Sequence, residues 1–179
     1  MRIGFVGDLH IDYNLHHDFI EGVCAAVRTL ALDVIVFCGD TTTGAFESLA
    51  FYQDLEKAGI QAKVLEIPGN HELYCVGKDK DPHEDGLYCM DADEYMYLML
   101  NHPRYSLFRH PIVDNGWVII GGPSWYDYSL HKNYLTMSEQ KKRRFLRANP
   151  EYKYLQDRHN NPFINEKITA KSLILWKNN

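Results

Sequence analysis

The chain has 179 residues, enough for one domain with a substantial core and short for two. Hydrophobic residues make up 45% and charged residues 24%, which excludes the disordered and fibrous classes. A formal charge of −5 weighs against a binder of long nucleic acids, whose footprint is basic. Small phosphorylated ligands stay open, because bound cations reverse a local field.

The first apolar run, Ile3-Gly4-Phe5-Val6, reads as a strand near residues 2–7. No charged segment with a long apolar stretch precedes it, so a signal peptide is not expected, and no window approaches the length of a membrane-spanning helix. From about Asp18 to Leu30 the spacing of Phe19, Val23, Ala26, Val27 and Leu30 predicts a helix with one apolar face. A second strand is expected over 33–38. The next helix would bury Phe46, Leu49, Ala50 and Leu55 and stop at Gly59, and a third strand would cover 62–67. This β-α-β-α-β order implies parallel strands joined by right-handed crossovers.

Tyr74 to Gly86 is polar and reads as a surface loop. A third helix is expected from Asp91, which has the spacing of a capping box with Glu94, to just before Pro103, with Tyr88, Tyr95 and Tyr97 on its buried face. Trp117-Val118-Ile119-Ile120 reads as a fourth strand, and Lys141-Lys142-Arg143-Arg144 as the solvated face of a helix. Asn165 to Asn179 reads as a final capped helix whose large apolar residues need something to pack on. Cys24, Cys38, Cys75 and Cys89 form no CxxC pair, and without a secretory signal they are expected to be reduced, with the cytosol as compartment.

Three of the strands end in polar clusters: Gly7-Asp8-Leu9-His10, Gly39-Asp40 and Gly69-Asn70-His71-Glu72. Ligands of open α/β sheets collect outside the carboxyl ends of the strands, so the topology brings Asp8, His10, Asp40, Asn70 and His71 to one crevice. Oxygen donors mixed with imidazole suit Mn, Fe or Zn. In a two-metal scheme Asp8 and His10, pointing the same way from extended backbone, bind the first ion. Asp40 bridges, and Asn70 offers a neutral oxygen to the second ion. His71 is placed to protonate a leaving alkoxide, with Glu72 as the group that orients its imidazole. A D-x-H or a Gly-Asp after a strand is common by chance; all three clusters about 30 residues apart are not.

Asp8/His10, Gly39/Asp40 and Gly69-Asn70-His71-Glu72 resemble the D-x-H, G-D and G-N-H-[DE] motifs of the calcineurin-like metallophosphoesterases. The resemblance is specific over the first 72 residues and looser through Trp125. It implies a layered α/β sandwich and a di-metal hydrolase of phosphomonoesters or phosphodiesters. It also implies metal roles for Asp8, His10, Asp40 and Asn70 and the acid role for His71. The family pattern continues with a later His and a G-H-x-H. The remaining histidines here, His83, His102, His110, His131 and His159, include no such motif. The expectation is therefore a single domain over residues 1–179, truncated at its C-terminus, with its first sheet and helices present and its second sheet partly missing. The remainder would be supplied by a longer or separate chain. Four protein ligands shared by two ions are few for catalytic sites, so weak metal binding and little activity are expected.

Other residues carry weaker signals. Asp12 either accepts from His10 or shapes a turn, and the His16/His17 pair reads as a solvated loop. Thr41, Thr42 and Thr43 read as caps of the following helix. Trp125, with Tyr126 and Tyr128, either walls the crevice or packs at the sheet margin. The competing functional readings are a catalytically inactive interaction or scaffold module on the same fold, and a nuclease or nucleotide hydrolase. The expected substrate is a small phosphorylated molecule, with no long nucleic acid and no membrane.

Overall fold

The computed structural model describes residues 1–74, 92–123 and 133–148. The chain divides into two units, residues 1–73 with 97–123 and residues 74–96 with 124–179. The sheet and the candidate site both belong to the first. Expectations for the polar loop, Asp91, Tyr88, Trp125 and the terminal helix lie outside the described residues.

Strand β1 (Ile3–Val6) leads to helix α1 (Phe19–Leu30), strand β2 (Val34–Phe37), helix α2 (Ala45–Lys57), strand β3 (Lys63–Glu66) and a 3-10 turn (His71–Leu73). The three strands are parallel in the order β1-β2-β3, with Ile3 opposite Val34 and Val34 opposite Lys63. This is the expected β-α-β-α-β unit. Helix α1 starts where Asp18 accepts from the Glu21 amide at 3.0 Å and ends where Ala31 adopts a left-handed conformation. Left-handed backbone is unfavourable for any residue with a Cβ, and here the amides of Ala31 and Leu32 close the helix end on the carbonyls of Arg28 and Val27 at 3.2 and 3.0 Å.

Alternate residues of β2 face opposite sides of the sheet. Val34 and Val36 join Leu65, Leu107 and Ile112 in one core cluster, flanked by Ile3, Ile67 and Ile119. On the other side Phe37 packs edge-on to Phe51, with ring centroids 5.9 Å apart, and against Tyr52 at 5.0 Å. Fully burying a side chain of this size contributes about 1.5–3 kcal/mol.

A separate hairpin, of which only the second strand was expected, packs on this sheet. Strands β4 (Ile112–Asp114) and β5 (Trp117–Ile119) pair antiparallel around Asn115-Gly116, both with positive φ, the geometry of a two-residue hairpin turn. Ile112 and Ile119 place this hairpin over β2 and β3. Phe5 in β1 shares a face with Val36 yet is 57% exposed, so β1 lacks the cover expected of a buried parallel strand. On the opposite face an apolar groove of about 420 Å³ runs between β1 and α1, lined by Val6, Phe19, Ala26 and Leu30 among others.

Two other expectations are corrected. Phe46 is 45% exposed and Ala50 is exposed too, and α2 instead buries Ala45, Ser48, Leu49, Phe51, Tyr52 and Leu55. The helix is turned so that Tyr52 rather than Phe46 meets the sheet. In helix α3 (Ala92–Leu100) Tyr95 is buried but Tyr97 is 59% exposed. Residues two apart on a helix point to nearly opposite sides, so the two tyrosines cannot share a face. In the second unit, helix α4 (Glu139–Arg147) is capped by Ser138, and Lys141, Arg143 and Arg144 are exposed on it as expected. Lys142 lies over the ring of Tyr134 at 4.9 Å.

Candidate metal centre

Past the strand ends, the three polar clusters are laced by backbone hydrogen bonds. The amides of Asp8, His10 and Ile11 donate to the carbonyls of Gly39, Asp40 and Thr41 at 3.0–3.1 Å. The chain is not extended here. Asp8, His10 and Asp40 have φ of 54°, 45° and 53°, a left-handed conformation uncommon outside glycine. The expected convergence of Asp8 and His10 from extended backbone is thus replaced by kinks that aim each side chain individually. Bends of this type, held by surrounding structure, cluster at functional sites.

The loops after β2 and β3 meet at a pair of glycines. A Cβ on Gly39 would lie 2.6 Å from the Gly69 nitrogen, and one on Gly69 would run into the Asp40 carboxylate. Asp40 Oδ1 in turn accepts from the His71 amide at 3.0 Å. The Gly44 amide donates to the His71 carbonyl at 3.0 Å, a further tie between the same loops.

This arrangement gathers His10, Asp40 and His71, each offering one ligand atom, with those atoms within 4.8 Å of one another. The His10 and His71 rings meet edge-on with centroids 4.5 Å apart. His10 Nδ1 is buried without a hydrogen-bond partner among the described residues, and Nε2 faces the Asp8 carboxylate at 4.0 Å. Two imidazoles and a carboxylate suit a divalent transition metal, so the donor set fits such an ion.

Asp8 is 82% exposed and its carboxylate lies 4.0 Å from His10 Nε2, at the rim of the group rather than within it. The Asn70 carbonyl accepts from Leu73 at 3.1 Å, closing the 3-10 turn that presents His71. Asp12 Oδ1 is buried and makes no bond to His10. His102 and His110 serve their own loop: His102 Nδ1 accepts from the Tyr105 amide at 3.2 Å, and His110 Nε2 is 2.8 Å from the Pro103 carbonyl.

Glu72 is fully buried, and its carboxylate takes backbone amides of the Asp40 and Gly69 loops instead of orienting the His71 ring. Burial raises its pKa, opposed by those same amide bonds. The partner of His71 Nδ1 is the Thr43 hydroxyl, at 3.3 Å. Helix α2 therefore has no threonine cap: its N-cap is Gly44, and Thr41 bonds the Tyr52 hydroxyl at 3.0 Å. Sequence reasoning also passed over Tyr13, an exposed ring 6.0 Å from His10 and 6.3 Å from His71. The D-x-H-x-x-Y spacing was its only trace.

A parallel sheet whose strand ends carry D-x-H, G-D and G-N-H-E, with the imidazoles and a carboxylate converging, defines a metal-dependent phosphoesterase fold. The family model for calcineurin-like phosphoesterase matches residues 1–174, well past the motifs themselves, and the chain belongs to that family. Among solved structures it is similar to phosphopantetheinyl hydrolase from Mycobacterium tuberculosis, at 17% identity and a TM-score of 0.61. That similarity covers 99% of this chain and 62% of the other, so this chain spans less than two thirds of that length, and the likeness is one of fold. No curated protein matches the chain. No helix among the described residues is long and apolar enough to cross a membrane.

Proposed function

We propose that this chain carries the metal-binding half of a phosphoesterase that hydrolyses a phosphomonoester or phosphodiester of a small molecule. The observation that supports it is the convergence of His10, Asp40 and His71 at the ends of parallel strands. Asp8, His10, Asp40 and Asn70 would hold two divalent ions, Mn, Fe or Zn, with Asp40 shared. Such ions supply an activated water and neutralise charge on the phosphoryl oxygens.

In this reading His71 stands beside the ions without binding one, and the chain's own part in the reaction centres on it. The Thr43 hydroxyl lies 3.3 Å from Nδ1; if it donates there, the proton is left on Nε2, the form a general acid needs to protonate a leaving alkoxide. Tyr13 forms an exposed wall beside both imidazoles, where a leaving group would rest. Thr43→Val removes the hydroxyl and keeps the shape. It is expected to lower kcat about tenfold with little change in KM, the worth of one hydrogen bond of ~1.4 kcal/mol.

The same reading assigns the rest of the coordination shell to further polypeptide, from a longer or a separate chain, completing one metallophosphoesterase domain. The exposed Phe5 and the 62% span relative to the solved structure support this. The test is to load the purified protein with Mn²⁺, Fe²⁺ or Zn²⁺, count bound metal, and assay p-nitrophenyl phosphate and its bis-ester. Weak, metal-dependent turnover is expected. A protein that binds no metal and hydrolyses neither ester overturns the proposal and leaves the scaffold reading in its place.

A further inference from the structure

We propose that Glu72 is a positioning residue that fixes the spacing between the Asp40 loop and the Asn70–His71 turn before any cation arrives. The inference rests on the metal-dependent reading above but concerns a residue outside the ligand set. Its basis is the way one carboxylate is shared. Oε2 accepts from the Asp40 amide at 2.9 Å and from the Gly69 amide at 2.8 Å, so a single oxygen bridges the two loops. Oε1 accepts from the Thr41 amide at 2.7 Å and from the Ser48 hydroxyl at 3.1 Å, tying the same joint to helix α2. Four donors on a fully buried carboxylate make charge-assisted bonds, roughly twice as strong as neutral ones.

The tie is reciprocal. Glu72 takes the amide of Asp40, and Asp40 takes the amide of His71, next to Glu72. Each loop therefore holds the other by a carboxylate reaching across to its backbone. Such mutual bonding supports the left-handed conformation of Asp40, which is unfavourable for a residue with a Cβ. The Gly39–Gly69 approach leaves room for nothing larger, and the Glu72 side chain has the reach to span the remaining gap.

Glu72→Gln is the sharpest test. An amide keeps the shape but replaces one acceptor with an NH₂ that faces N–H donors. Two readouts are taken: amide exchange of Asp40, Thr41 and Gly69 in the metal-free protein, and Co²⁺ affinity with its visible spectrum. Exchange at those three amides is expected to quicken at least tenfold, and Co²⁺ affinity to fall at least tenfold with a shifted spectrum. Val27→Ala, a cavity in α1, serves as the control. It is expected to lower Tm while leaving the Co²⁺ affinity and spectrum at wild-type values. Wild-type exchange and wild-type Co²⁺ binding in folded Glu72→Gln overturn the inference. A wild-type protein that binds no Co²⁺ sinks the metal reading instead, and the exchange data then decide the role of Glu72 alone. Should Glu72→Gln fail to fold, Ser48→Ala removes one of the four donors and keeps the charge. About threefold faster exchange at Thr41 is expected from it, and no change overturns the inference.

Discussion

Asp40→Asn is expected to weaken divalent-metal binding by at least ~100-fold and to take phosphoester hydrolysis to background. Loss of an indirect partner alone costs a metal site 10–100-fold, and here a donor itself loses its charge. The substitution is diagnostic because the fold has little reason to change. Asn retains an oxygen to accept from the His71 amide, now at 3.0 Å from Asp40 Oδ1. The Asp40 amide also keeps its bond to Glu72. Titration calorimetry with Mn²⁺ and Co²⁺ reads the affinity, and circular dichroism checks the fold. Asp8→Asn should cost clearly less, since the Asp8 carboxylate is largely in water at the rim. Asp40→Asn with wild-type affinity would remove Asp40 from the ligand set.

The second large effect concerns stability. Glu66 ends β3 with both carboxylate oxygens buried and, among the described residues, without a hydrogen-bond partner. Desolvation, and then the nearby Glu72 charge, push its pKa well above the ordinary value of 4.5. The folded state therefore holds a proton that the unfolded chain has released. Stability is full below about pH 4.5 and falls as pH rises toward the folded pKa, by up to ~1.4 kcal/mol per pH unit. Glu66→Gln mimics the protonated form at every pH. It is expected to be more stable than the parent at pH 8, the difference closing near pH 4. Urea unfolding at both pH values measures this. Equal stability at pH 8 would mean the carboxyl is solvated or paired.

Much of the scaffold could be read from the sequence because each signal was local. Short Val- and Ile-rich runs closed by glycine marked the strands, and Asp18 marked the start of α1. The candidate ligands were legible for the same reason, each lying just past a strand. What escaped depended on contacts between distant segments. Nothing local announces that Asp8, His10 and Asp40 take left-handed backbone, which glycine normally occupies. The role of Glu72 depends on two loops approaching at Gly39 and Gly69, and the orientation of α2 on Tyr52 finding Phe37. The missed strand β4 is a different case. Asn115-Gly116 is a strong hairpin signal, and it points back to Ile112–Asp114 as readily as forward to Trp117.

The state of β1 has a practical consequence. Among the described residues it is an edge strand, with one row of backbone donors and acceptors unpaired by the sheet and an exposed phenylalanine beside them. Edges of this kind template strand addition between molecules. Stickiness will therefore rise with protein concentration, and assays on dilute samples will report the chain itself rather than its aggregates.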